Sequence, residues 1–262
     1  MIRALTSHWP EYLIEASCLG LFMVSANLFS VAIFHPASPL AGALTDPLGA
    51  RFLMGLAMGG TAIALIFSPW GKRSGAHMNP ATTLTFYRLG RVSSWDAAFY
   101  VAAQFAGGLA GTLVAAATLR PWVADPSVDY AATLPGPAGA WVAFVAEVAI
   151  TFVMMTTVLV VSNTKRLARF TGLFAGALVA LYITFEAPLS GMSMNPARTF
   201  GSAVFASNYM ALWVYFTAPL AGMLLAAETY VRTGRAHMAH CAKYHHENGQ
   251  RCIFLCRYGE LR

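Results

Sequence analysis

Six stretches of the chain stay apolar long enough to cross a bilayer, and the first five are followed by polar or proline-bearing residues. They are Tyr12–Phe34, Phe52–Phe67, Ala97–Leu119, Ala140–Val161, Phe170–Phe185 and Met210–Ala227. His35-Pro36, Ser68-Pro69, Arg120-Pro121, Ser162-Asn163 and Glu186 follow the first five. A spanning helix takes ~20 mostly apolar residues, somewhat fewer where a neighbour covers one end. Two further apolar stretches, Pro80–Leu89 and Pro196–Ala206, are too short to cross. Each opens on proline, which suits a first helical turn because the missing N–H would have had no partner there. They read as half-helices that enter and return. A membrane barrel would show ten-residue segments of alternating polarity, and these runs do not alternate. The pattern therefore predicts an all-α membrane protein of six spans and two re-entrant half-helices.

The second half of the chain repeats the first. Ser74–Leu84 aligns without a gap on Ser190–Phe200. Each half opens with a helix bearing one acid, Glu15 or Glu147, and closes with one bearing a small-residue patch around Gly108 or Gly222. Three spans per half make the second copy enter from the opposite side, which is an inverted repeat with its working site near the midplane. The expected units are residues 1–118 (first repeat), 119–139 (connecting loop outside the cell), 140–232 (second repeat) and 233–262 (a tail).

Composition agrees and adds orientation. Of 262 residues, 57% are apolar and 11% charged, too few charges to cover a water-facing surface. Mean hydropathy is +0.57. The net charge of +6 suggests topology rather than nucleic acid, because the basic residues cluster between apolar runs. Lys72, Arg73, Arg88, Arg91, Lys165, Arg166, Arg169 and the basic tail fall on alternate connections. The positive-inside rule then puts both termini in the cytoplasm. No cleavable leader is expected, since the first run is long enough to stay in the bilayer.

Asn79-Pro80 and Asn195-Pro196 mark where the two half-helices begin. An asparagine there can cap its helix with the side-chain oxygen and still offer amide hydrogens to a lumen. Two positive helix ends meeting at the centre would admit a small polar molecule and repel a cation or proton. One such dipeptide would be an ordinary turn; two in matched apolar contexts are not.

With the boxes Asn79-Pro80-Ala81 and Asn195-Pro196-Ala197, six spans and inverted halves, the chain resembles the aquaporin or major intrinsic protein family from about Pro10 to Arg232. The resemblance implies a helix bundle with two half-helices, a homotetramer in a plasma or inner membrane, one pore per subunit and no cofactor. It implies passive permeation of water or small uncharged solutes such as glycerol, ammonia, hydrogen peroxide or metalloid acids. It also implies that Arg198 lines an outer constriction with Gly59, Ile183 and Met192. A one-residue shift would bring Tyr182 or Thr184 to the place of Ile183. Glycine, isoleucine and methionine make that constriction wider and less polar than a strict water channel's, yet Thr199 replaces the aspartate usual after the arginine in glycerol facilitators. The family reading of Glu15 and Glu147 is structural, as acceptors for loop N–H groups. The same acids read as a proton relay would make a proton-coupled secondary transporter. No nucleophile–base–acid constellation appears, so no enzyme is expected.

The tail departs from the family. Cys241, His245, His246, Cys252 and Cys256 lie within 16 residues, preceded by His237 and His240. Soft ligands at this spacing suit zinc, or iron. A basic, disordered tail with chance cysteines is the competing expectation, and a closed, metal-sensing membrane protein regulated by this tail is the third functional class.

Overall fold

The computed structural model describes residues 1–235 and 239–261; His237 lies outside them. It is helical, with no strand among the described residues. Among the described residues six helices are long and apolar enough to cross a membrane: α1 (Ile2–Phe34), α2 (Pro47–Phe67), α4 (Ser94–Leu119), α5 (Ala140–Ser162), α6 (Thr171–Phe185, spanning with its preceding turn as Ala168–Phe185) and α8 (Leu212–Tyr230, spanning as Leu212–Thr233). Two shorter helices, α3 (Pro80–Arg88) and α7 (Pro196–Ala206), begin at the two Asn-Pro pairs.

Helix starts follow the sequence signals. Asp46 caps α2 by accepting from the N–H groups of Leu48 and Gly49, ahead of Pro47 in the first turn. Ser93 caps α4 through the N–H of Asp96. The first span starts ten residues before its apolar run, with Pro10 inside it. That polar turn is held by tertiary contacts: fully buried Glu11 pairs with Arg73 at 2.9 Å, and Asp96 accepts from the Tyr12 hydroxyl at 2.6 Å.

The packing is internally symmetric. Helix α1 lies along α4 and α5 lies along α8, while α2 and α6 pack against each other across the centre. Half-helix α7 rests on α4 as α3 rests on α8. Between helices in lipid there is little hydrophobic drive, so close backbone approach and dispersion hold the bundle. Glycines make that approach possible. A Cβ on Gly107 would lie 2.2 Å from the Ala16 carbonyl oxygen, and one on Gly222 2.4 Å from that of Val148. Large apolar side chains such as Leu13, Leu56, Leu113 and Leu225 point outward, as a lipid-facing surface requires.

The tail is not a separate unit. Ala239, Cys241, Ala242, Tyr244 and Phe254 are buried in the same apolar core as the spans. A disordered tail is therefore not what the chain adopts.

Candidate functional site

Each half-helix is entered through a loop whose backbone is forced out of the helical region. Gly75, Ala76 and Met78 have φ of +98°, +57° and +49°; Gly191, Met192 and Met194 have +77°, +53° and +55°. Left-handed backbone at the non-glycine positions costs on the order of 1–3 kcal/mol each and persists only where surroundings impose it. Here a buried carboxylate does so. Glu15 accepts from the N–H groups of His77 (3.1 Å) and Met78 (2.6 Å), the Ser74 hydroxyl (2.8 Å) and the Gln104 amide (2.9 Å). Glu147 does the same for Ser193 (2.6 Å), Met194 (2.8 Å) and the Ser190 hydroxyl (2.9 Å). Both acids are fully buried. Two tyrosines complete the pattern: Tyr100 donates to the Ser74 carbonyl and Tyr215 to that of Ser190, both at 2.7 Å. Sequence reading missed this tyrosine pair, although both lie on the last span of their half.

The two Asn-Pro-Ala boxes meet. Asn79 Oδ1 accepts from the Ala81 N–H at 2.9 Å and Asn195 Oδ1 from the N–H groups of Ala197 (3.1 Å) and Arg198 (3.2 Å), so both cap their helices. Their amides cross over, Asn79 Nδ2 donating to the Met194 carbonyl and Asn195 Nδ2 to that of Met78, each at 2.7 Å. Each amide has two hydrogens, so one is committed to the opposite half and one remains for the lumen. Pro80, Ala81, Pro196 and Ala197 are buried behind them.

A cavity of about 500 Å³ runs past this junction. Phe34, Arg51 and Ser127 line one end, Asn79 and Asn195 the middle, and Ile66, His77 and Tyr244 the other. Seven methionines line it: Met54, Met58, Met78, Met154, Met192, Met194 and Met223. Ile183, Met192 and Arg198 share its wall, whereas Tyr182 and Thr184 do not reach it. Arg198 lines the cavity, and its Nη1 is buried without a hydrogen-bond partner among the described residues. Gly59 is placed elsewhere: its missing Cβ would lie 2.5 Å from the Gly176 carbonyl oxygen, at the crossing of α2 and α6. Met54 and Met58 present their side chains to the cavity instead. Counting back from Asn79 gives no helical phase, and the lining face of α2 is set by this crossing.

His77 precedes the first box and is buried. Its Nδ1 meets the Thr83 hydroxyl at 3.0 Å and its Nε2 the Ala242 carbonyl of the tail at 2.8 Å.

The tail brings four of its five candidate ligands together. Nitrogen or sulfur atoms of Cys241, His246, Cys252 and Cys256 all lie within 4.8 Å of one another. Cys241 and Cys252 sulfurs are 3.6 Å apart, and Cys256 Sγ is 3.1 Å from His246 Nε2. Hydrogen bonds shared with Cys241 pull the Cys252 and Cys256 thiols below the ordinary cysteine value and push that of Cys241 above it. His245 turns away and packs on Phe67, ring centroids 5.0 Å apart.

Comparison with known proteins gives a consistent picture. A profile of the major intrinsic protein family matches residues 9–230. Aquaporin NIP2-1 of Oryza sativa subsp. japonica is 37% identical over 147 residues, 56% of this chain and 47% of that protein. Probable aquaporin AqpM of Archaeoglobus fulgidus is 35% identical over 156 residues, 59% of this chain and 63% of that one. The chain spans about half the length of the rice and maize relatives it matches. The X-ray structure of the aquaglyceroporin from Plasmodium falciparum superposes with a TM-score of 0.70 at 20% identity, covering 88% of this chain and 99% of that one. At that identity the likeness speaks for the fold.

Proposed function

The chain belongs to the major intrinsic protein family, and from that premise we propose that it is a passive transmembrane channel for water and small uncharged solutes. One observation carries the reading: a cavity lined by residues of both halves passes the point where two helix N-termini meet, with Asn79, Asn195 and Arg198 on its wall. Positive helix ends and a fixed guanidinium disfavour cations and hydronium there, while amide hydrogens offer a neutral solute hydrogen bonds.

Ile183, Met192 and Arg198 form the selectivity constriction, with Met54 or Met58 in the place first expected of Gly59. A wall of thioethers and one arginine suits glycerol, ammonia, hydrogen peroxide or undissociated metalloid acids as well as water. Transport through such a lumen needs no cofactor and no chemical step. The Cys/His set of the tail, none of whose members lines that lumen, is a candidate for zinc or iron. The positive-inside rule supports both termini in the cytoplasm, and the family supports a homotetramer in a plasma or inner membrane. A transporter that cycles protons through Glu15 and Glu147 is less well supported, because both carboxylates are occupied by loop donors.

Stopped-flow light scattering on proteoliposomes, run over a panel of these solutes, tests the reading. Arg198→Val is expected to raise glycerol and urea permeability relative to water several-fold. A variant with wild-type permeability ratios would place Arg198 outside the constriction.

A further inference from the structure

The cysteines and histidine of the tail sit beside the mouth of the cavity, and the chain between two of them enters it. Cys241 and His246 bracket Ala242 and Tyr244. The Ala242 carbonyl accepts from His77 Nε2–H at 2.8 Å, and the Tyr244 N–H donates to the Gly75 carbonyl at 3.2 Å. Tyr244 lines the cavity at the end shared with Ile66 and His77, its hydroxyl 3.4 Å from that of Thr82. The second arm, which bears Cys252 and Cys256, is anchored too. The Phe254 ring stacks on His77 with centroids 5.3 Å apart, and Leu255 N–H donates to the Arg91 carbonyl at 2.9 Å. Lys243 Nζ ties the two arms by donating to the Arg251 carbonyl at 2.6 Å.

Four donor atoms around a tetrahedral zinc ion stand about 3.5–3.8 Å apart, given Zn–S near 2.3 Å and Zn–N near 2.0 Å. The 3.6 Å separation of Cys241 and Cys252 matches such an edge, that of Cys256 and His246 is shorter at 3.1 Å, and all four donor atoms lie within 4.8 Å of one another. Three cysteines with one histidine are a common structural zinc set, and a short segment gains its order from such an ion. We propose that Cys241, His246, Cys252 and Cys256 bind one zinc-class divalent cation, and that the bound ion locks Tyr244 in the mouth of the cavity as a plug. The device rests on the channel reading, since it regulates flux through that lumen. Without the ion the 241–246 arm is left to hydrogen bonds such as those to His77, Gly75 and Arg251, and Tyr244 is freed to swing out. A disulfide between Cys241 and Cys252 is the rival use of the same sulfurs, so the tests are done under a phosphine reductant.

The full-length protein is purified, stripped with a chelator and titrated with Zn(II), or with Co(II) for its thiolate charge-transfer bands. One equivalent per chain is expected, with cobalt spectra of tetrahedral sulfur ligation. In proteoliposomes, glycerol and water permeability should be at least threefold higher in the stripped protein than in the zinc-loaded one. Cys252→Ser should be open with or without zinc. Tyr244→Ala should also be open in both states while still binding one zinc, which separates the plug from the ion site and from any folding defect of the cysteine variant. Less than a tenth of an equivalent of zinc overturns the site. Permeability that is independent of zinc in wild type, or zinc-sensitive closure that survives in Tyr244→Ala, overturns the plug. If stripped wild type, Cys252→Ser and Tyr244→Ala all remain at the protein-free baseline, the channel reading and the plug fail together, and the zinc stoichiometry still decides the site.

Discussion

Glu15 shows how one buried charge can shape a lumen without facing a permeant. Its two oxygens take the loop donors of His77 and Met78 together with the Ser74 hydroxyl and the Gln104 amide. Removing it would leave two buried backbone N–H groups without acceptors, at roughly 1–3 kcal/mol each. Glu15→Gln presents amide hydrogens to donors, so it should also lower the thermal unfolding midpoint in detergent, and Glu147→Gln should match it. A Glu15→Gln protein with wild-type melting that lost only proton-driven uptake would instead favour the transporter. The acids are visible in sequence as lone charges in apolar runs. Their partners Tyr100, Tyr215 and Gln104 are not, because the residue types are common and the pairings join positions 25 to 89 residues apart.

At the scale of elements, the bundle is held by contacts that leave no room for a side chain. Gly107 faces Ala16 across α1 and α4, and Gly222 faces Val148 and Thr151 across α5 and α8. A Cβ at either place would lie within 2.5 Å of an oxygen on the neighbouring helix, so those helices must part. Overpacking of this kind costs typically 1–3 kcal/mol and often more where backbone must move. Gly107→Val and Gly222→Val should each sharply reduce the folded peak in detergent gel filtration, whereas Gly42→Ala, with open space around it, should not. Folded yields of both valine variants at wild-type level would mean the helices are not pressed together there. The small-residue patches were legible from sequence, and so were the half-helices, since proline and asparagine dictate where a helix can begin. Gly59 was not, because counting along the chain cannot say which face of α2 turns toward the cavity.

The molecule as a whole is a multi-pass membrane protein of the major intrinsic protein family. With half-helix N-termini and Arg198 all presenting positive charge to one lumen, it should pass no ions. Planar bilayers under a salt gradient should show no single-channel current above the protein-free membrane, and a reproducible conductance would contradict that electrostatic design. The sequence alone determined the class, the six spans, the inverted repeat and the junction of the half-helices. Those features follow from local rules: a bilayer demands about 20 apolar residues per span, and backbone polar groups in lipid must be satisfied within a helix or against protein. Tertiary structure alone decided the rest. It turned Met54 and Met58 rather than Gly59 to the cavity, excluded His245 from the cluster of Cys241, His246, Cys252 and Cys256, and seated Tyr244 in the mouth. Each of these depends on the rotation of one packed element against another. That rotation is settled by the summed fit of many weak contacts between residues far apart in the chain, and no motif spells it out.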